Sequence, residues 1–306
     1  MPPADAAPDL SVNLCGVVLK NPVIAASGTF GMGEEVLPFY HPSVLGGFCT
    51  KGLTLRPREG NPGIRLHETR AGLMNSIGLQ NPGVRAFVDE ILPRIRGLTP
   101  VLIANVGGSE IDDYVEAVGI VAAADVDLIE LNISCPNVKC GGMAFGMEPA
   151  TAAAVVRAVR PACGKPLMVK LSPNAHDICA VARACEEAGA DALSLVNTFN
   201  ALAIDVHARR AVFDNVTAGL SGPAILPIAM RMTRDVARAV RVPVVGMGGI
   251  ETGEDAAAFI MAGATAVQVG TAGLVRPDLL PRIVDELAAF MAREGIHDLA
   301  AIRGIV

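Results

Sequence analysis

Leu128-Ile129-Glu130-Leu131-Asn132-Ile133-Ser134-Cys135-Pro136-Asn137 is an apolar run of strand character that ends in an amide, then exposes a thiol, a proline and a second amide. The glycine-rich Val138-Lys139-Cys140-Gly141-Gly142-Met143-Ala144-Phe145-Gly146 follows at once. A strand that is apolar on both faces belongs to a parallel sheet covered by helices. One that ends in polar and reactive groups under a loop is how a barrel offers chemistry at the C-terminal ends of its strands. A single cysteine after a strand is by itself ordinary packing, so the rest of the chain must decide.

The same unit recurs along the sequence. Short apolar runs occupy 23–26, 44–50, 101–106, 128–132, 167–171, 192–197, 242–247 and 266–270. Helical patterns lie at about 33–40, 84–95, 109–124, 149–159, 175–188, 225–240, 253–261 and 279–293. Eight such alternations predict an α/β protein of the (β/α)8 TIM barrel type, one domain over residues 1–306. No GxGxxG follows the first run, which argues against a doubly wound sheet. Residues 12–20 read as an N-terminal hairpin closing the barrel bottom. Insertions at 52–80 and 198–222 follow the second and sixth runs, on the side where barrel enzymes build active sites.

Composition narrows the class. Of 306 residues, 51% are hydrophobic and 18% charged, enough apolar material for a large core. The net charge of −6 speaks against a nucleic-acid partner, since no basic excess exists to meet phosphates. Seven cysteines (15, 49, 135, 140, 163, 179 and 185) form no CxxC pair and suit a reducing cytoplasm, with no metal or iron–sulfur ligand set. Residues 1–9 have neither a basic start nor an apolar core, so no signal peptide is expected, and 256–275 is broken by glycines and Gln268, unlike a membrane span.

The strand ends carry the chemistry. Gly246-Met247-Gly248-Gly249 follows the seventh run and Gly270-Thr271-Ala272 the eighth, where barrels place phosphate. The other ends supply Ser27, Lys51, Asn105, Asn132, Lys170 and Asn197, a set of amides and two lysines suited to a flat, polar heterocycle. Lys170, between Val169 and Leu171, must find an acceptor or lose its proton. It suits either the pyrimidine edge of a flavin or the nucleophile of a Schiff-base aldolase or lyase.

These pieces together resemble the dihydroorotate dehydrogenases over nearly the whole chain. The matching stretches are Ala26-Ser27-Gly28, Thr50-Lys51-Gly52, Asn75-Ser76-Ile77-Gly78-Leu79, Asn132 to Asn137, Val169-Lys170-Leu171, Asn197-Thr198, Ser221-Gly222, Gly248-Gly249 and Gly270-Thr271. The resemblance implies FMN held by Ser27, Lys51, Gly52, Asn105, Asn132, Lys170, Val196, Gly222, Gly248, Gly249, Gly270 and Thr271. It implies substrate held by Lys51, Asn75, Ser76, Ile77, Gly78, Leu79, Asn132, Asn137, Asn197 and Thr198, with Cys135 as catalytic base. A cysteine base resembles the soluble class, and Asn137 to Gly142 with Asn75 to Gly83 resembles its NAD-linked form. That form implies a homodimer of this chain joined to an electron-transfer subunit carrying FAD and a [2Fe–2S] cluster, a heterotetramer. Fumarate-linked enzymes and dihydropyrimidine dehydrogenase-like barrels are the neighbouring alternatives. The 138–148 loop is expected to close over the site.

Overall fold

The computed structural model describes residues 7–134 and 145–306. Eight parallel strands close into a barrel in chain order: β1 Val23–Ala25, β2 Gly47–Cys49, β3 Leu102–Gly107, β4 Leu128–Asn132, β5 Leu167–Lys170, β6 Ala192–Leu195, β7 Val244–Met247 and β8 Ala266–Val269. Each is buried along its whole length, as strands with helices outside and packed side chains inside must be. β8 pairs back onto β1 through Val267 and Val23, which completes the ring.

The outer helices sit near their sequence positions, for example Ile111–Ala122, Pro149–Val159, Gly253–Met261 and Leu279–Arg293. Gly253–Met261 begins with a capping box, in which Thr252 Oγ1 accepts from the Asp255 N–H while the Asp255 carboxylate accepts from the Thr252 N–H. The hairpin pairs Val12–Leu14 with Val17–Leu19. Its turn residues Cys15 and Gly16 both have positive φ, 55° and 87°, the geometry of a two-residue turn that matches strand twist. The Cys15 thiol bonds the carbonyl of Asp191, just ahead of β6, so the hairpin packs on the N-terminal end of the barrel.

Two expected helices differ. Over 33–40 there is one 3₁₀ turn, Glu34–Val36. Gly33 is left-handed at φ 96°, and Pro38 has no N–H with which to continue a helix. The 84–95 stretch is helical but interrupted: Val84–Ala86, a π turn at Phe87–Ile91, then Leu92–Ile95. Pro93 would clash with the Asp89 carbonyl in a regular α-helix, and a widened turn relieves that clash. The Thr271–Val275 helix, directly after β8, was absent from the sequence pattern.

The two insertions build one structure. Phe199–Leu202, Thr217–Ser221, Gly72–Asn75 and Leu66–Thr69 form a four-stranded antiparallel sheet in that order, with Gly219 opposite Asn75. Met74, Phe213 and Ala218 give this sheet its own small core. It stands beside the C-terminal rim of the barrel and supplies one wall of the cavity described next.

Candidate active site

A cavity of about 300 Å³ opens at the C-terminal ends of the strands, of the size and position expected for a ligand site in a barrel. Its floor is set by strand ends. Asn132 closes β4, Lys170 closes β5 and Gln268 lies within β8. Lys51 reaches it two residues past β2, and Val196 and Asn197 follow β6. One side is made by Gly222, Gly248, Gly249, Gly270 and Thr271, and the wall from the first insertion by Asn75, Ile77, Gly78 and Leu79.

Ser27, Gly52 and Thr198 also line this space. Asn105 and Ser76 do not. Asn105 is fully buried beneath Gly52, and a Cβ on Gly52 would sit 2.9 Å from its Oδ1. The Ser76 hydroxyl accepts from Asn61 Nδ2 (3.0 Å) and Asn215 Nδ2 (3.1 Å), within the insertion framework. Cys135 and Asn137 lie outside the described residues, as does most of the 138–148 loop. Ala26, Gly28, Thr29, Leu73, Ser221 and Met247 line the cavity as well, although no role had been expected for them.

The glycines are dictated by sterics. Gly248 and Gly249 have φ of 131° and 78°. A Cβ would come within 2.6 Å of Ala229 Cβ at the first and 2.8 Å of Leu226 Cβ at the second. Bare backbone is therefore what lines the cavity after β7. Thr271 Oγ1 bonds Ser221 Oγ at 2.8 Å, tying the turn after β8 to the second insertion.

The amides are ordered by hydroxyls. Ser134 Oγ donates to Asn132 Oδ1 (2.8 Å) and accepts from Asn197 Nδ2 (2.7 Å), which links the ends of β4 and β6. Tyr114 Oη donates to the Asn132 carbonyl at 2.9 Å and holds that strand end from outside.

Beneath the cavity lies a buried charge that motif reading had passed over. Glu130, in the middle of β4, has no exposed surface, and its carboxylate meets side chains from five other strands. Oε1 accepts from Ser194 Oγ (2.8 Å) and Gln268 Nε2 (2.7 Å). Oε2 accepts from Asn105 Nδ2 (2.6 Å) and Cys49 Sγ (3.3 Å), with Lys170 Nζ at 3.8 Å. Burial acts to raise the Glu130 carboxyl, but the Lys170 ammonium and the bonds from Gln268, Ser194 and Asn105 outweigh it, so it lies below its usual range and is ionised. Burial and that neighbouring negative charge push the Cys49 thiol well up. Sequence offered one signal for Glu130, a charged residue inside an otherwise apolar strand, but no spacing ties it to its partners.

The residues fit a flavin. Gln268, which lines the cavity, has a buried carbonyl oxygen with no partner, which suits the imide N–H of a flavin ring; Asn105 Oδ1 is likewise without a partner but lies beneath Gly52. Lys170 lines the same cavity, and glycines line its other side.

The dihydroorotate dehydrogenase family model matches residues 9–291. A relative from Petrotoga mobilis (strain DSM 10674 / SJ95), named dihydroorotate dehydrogenase B (NAD(+)), catalytic subunit, is 57% identical over 298 residues, 97% of this chain and 99% of that protein. Relatives of the same name from Geobacter sulfurreducens (strain ATCC 51573 / DSM 12127 / PCA) and Alkaliphilus metalliredigens (strain QYMF) are 50% and 48% identical, each over 97% of this chain and 98% of theirs. With a match over this length and a closed barrel bearing a polar cavity at its C-terminal rim, the chain belongs to the dihydroorotate dehydrogenase family.

Proposed function

We propose that this chain oxidises (S)-dihydroorotate to orotate in pyrimidine biosynthesis, using FMN, and delivers the electrons to NAD+ through a partner subunit that carries FAD and a [2Fe–2S] cluster. The observation that carries this reading is the joining, in one cavity, of Lys51, Lys170 and the strand-end amides with a glycine-lined anion side. Full-length similarity to NAD(+)-named catalytic subunits supports the choice of acceptor and a partner subunit. The chain is expected to work as a homodimer within a heterotetramer in the cytoplasm. Among the described residues no helix is long and apolar enough to cross a membrane.

Bound flavin supplies the two-electron acceptor for the hydride that leaves substrate C6. The protein does the rest. Lys51 neutralises the substrate carboxylate or the flavin. Asn75 to Leu79, Asn132, Asn197 and Thr198 hold the ring, and Asn137 assists them. Fixing both reactants in one orientation turns the transfer into an intramolecular event. Cys135 takes the C5 proton. A free thiol has a pKa of about 8.5, so only a minority is thiolate near neutrality, and turnover rises with pH.

Ser27, Lys51, Gly52, Asn132 and Val196 would hold FMN, Lys170 would meet its pyrimidine edge, and Gly222, Gly248, Gly249, Gly270 and Thr271 would receive its phosphate. Asn105 acts from beneath Gly52. The Schiff-base alternative is not favoured: Lys170 Nζ is engaged 3.8 Å from the Glu130 carboxylate, and the full-length relatives are named dihydroorotate dehydrogenases. Turnover of dihydroorotate against dihydrouracil by the FMN-loaded chain tests the substrate assignment. A preference for dihydroorotate that disappears in Lys51→Met is the expected result. Equal or better use of dihydrouracil, which lacks the carboxylate, contradicts it.

A further inference from the structure

Glu130 is the buried charge that the chemistry above leaves unused. Barrel interiors are ordinarily filled by branched apolar side chains, and a desolvated ion is costly even when paired. A carboxylate here therefore does something an apolar residue cannot.

A carboxylate only accepts hydrogen bonds. Each amide that meets it must present its NH2 group, since the reverse orientation would set two oxygens 2.6–2.7 Å apart. The amide carbonyls of Asn105 and Gln268 are thereby turned away from Glu130, and these are the two oxygens left buried without a partner. Gln268 lines the cavity directly, and Asn105 Oδ1 lies against Gly52, which lines it too. Leaving such an oxygen buried without a donor is costly. The pattern suits a ligand that brings its own N–H.

We propose that Glu130 is a positioning residue for the cofactor: by accepting from Asn105 and Gln268 and pairing with Lys170 it fixes the Gln268 carbonyl and the Lys170 side chain at the cavity floor, with the Asn105 carbonyl beneath Gly52, so that the site selects a ring edge with an N–H donor beside a carbonyl oxygen. The inference rests on the flavin reading, whose isoalloxazine pyrimidine edge has that order of groups. It adds a residue that touches neither cofactor nor substrate. Glu130 also offsets the charge of Lys170. Without it, Lys170 stands as an uncompensated cation beside the flavin and favours the anionic reduced form.

The test uses the full chain, stripped of flavin and reloaded. Glu130→Gln keeps the volume but gives one acceptor and one donor, so it cannot orient both amides. Affinities for FMN and for its N3-methylated analogue are measured by fluorescence titration, and the midpoint potential of bound FMN by dye equilibration. The wild-type chain is expected to prefer FMN by about tenfold or more, the equivalent of one buried hydrogen bond. Glu130→Gln is expected to lose most of that preference, and the potential to move positive. A purely structural Glu130 would instead lower the affinity for both flavins alike and leave the potential of the bound fraction in place, and that result overturns the proposal. If Glu130→Gln does not fold, Gln268→Met removes one acceptor and leaves the ion pair. Undiminished preference for FMN in Gln268→Met overturns the proposal equally. A folded wild-type chain that takes up no flavin refutes the cofactor reading itself, and does so before any variant is made.

Discussion

Lys170→Met isolates the energetics of the buried pair. Lys170 and Glu130 have side chains 6% and 0% exposed, with Nζ 3.8 Å from Oε2, so solvent screens little of the interaction. The substitution keeps apolar bulk but leaves Glu130 as an unpaired buried ion, a change that costs about 3–5 kcal/mol in typical cases. Bonds from Ser194, Gln268 and Asn105 remain and hold the effect toward the lower end. That corresponds to a loss of roughly two to three orders of magnitude in the folding equilibrium near pH 8.

The pH dependence carries the diagnosis. In the wild-type chain the Glu130 carboxyl lies below its usual range. Its contribution is present above the unfolded value of about 4.3 and is lost as pH falls through the folded one. In Lys170→Met the ammonium is gone and burial dominates, so the folded carboxyl rises above its unfolded value. The variant then takes up a proton on acidification and regains ground. Urea unfolding of the flavin-free chains, followed by circular dichroism, should show a large gap between variant and wild type at pH 8 that narrows at pH 5. A gap below about 1 kcal/mol at pH 8, or one that is unchanged at pH 5, would refute the view that Glu130 is ionised and paired.

Three further outcomes follow from the site and its surroundings. Cys135→Ala should retain bound FMN and lose turnover, while the intact enzyme speeds up with rising pH; full activity in the variant, measured by orotate formation, excludes Cys135 as base. Gly249→Ala forces a side chain into φ 78° and sets Cβ 2.8 Å from Leu226 Cβ, so it should cost about 1–2 kcal/mol in folding from the backbone alone and weaken FMN binding in the same titration. Among the described cysteines, burial pushes Cys15 up to about 11 and Cys185 up to about 12, and Cys49 lies well above its usual value, so all three should react slowly with a disulfide reagent at pH 8 in the folded chain and quickly in urea.

The barrel was legible because a strand buried on both faces writes itself as an unbroken apolar run, and eight of these alternate with helical stretches. The ends of the strands differ from expectation by a few residues, as where Val44 belongs to a 3₁₀ turn capped by His41 rather than to β2. Local chemistry was legible too: glycines after β7 and β8 and lysines at β2 and β5 stand out within a few residues of sequence. What depends on tertiary meeting was not. Glu130 was read as part of a strand, and its partners Cys49, Asn105, Lys170, Ser194 and Gln268 come from five other strands. Only closure of the barrel brings them together. The insertions gave no sign that they share a sheet, since antiparallel pairing of Gly72–Asn75 with Thr217–Ser221 joins segments far apart in the chain. Pro38 and Pro93 could be seen, but both lay inside apolar periodicities that looked helical.

The central claim is tested most directly by the anaerobic visible spectrum of the purified chain before and after addition of dihydroorotate. The expected result is a yellow protein that bleaches, which joins flavin binding to substrate oxidation in one cuvette. A yellow protein left unbleached by dihydroorotate, or a folded chain that stays colourless when FMN is supplied, contradicts the account.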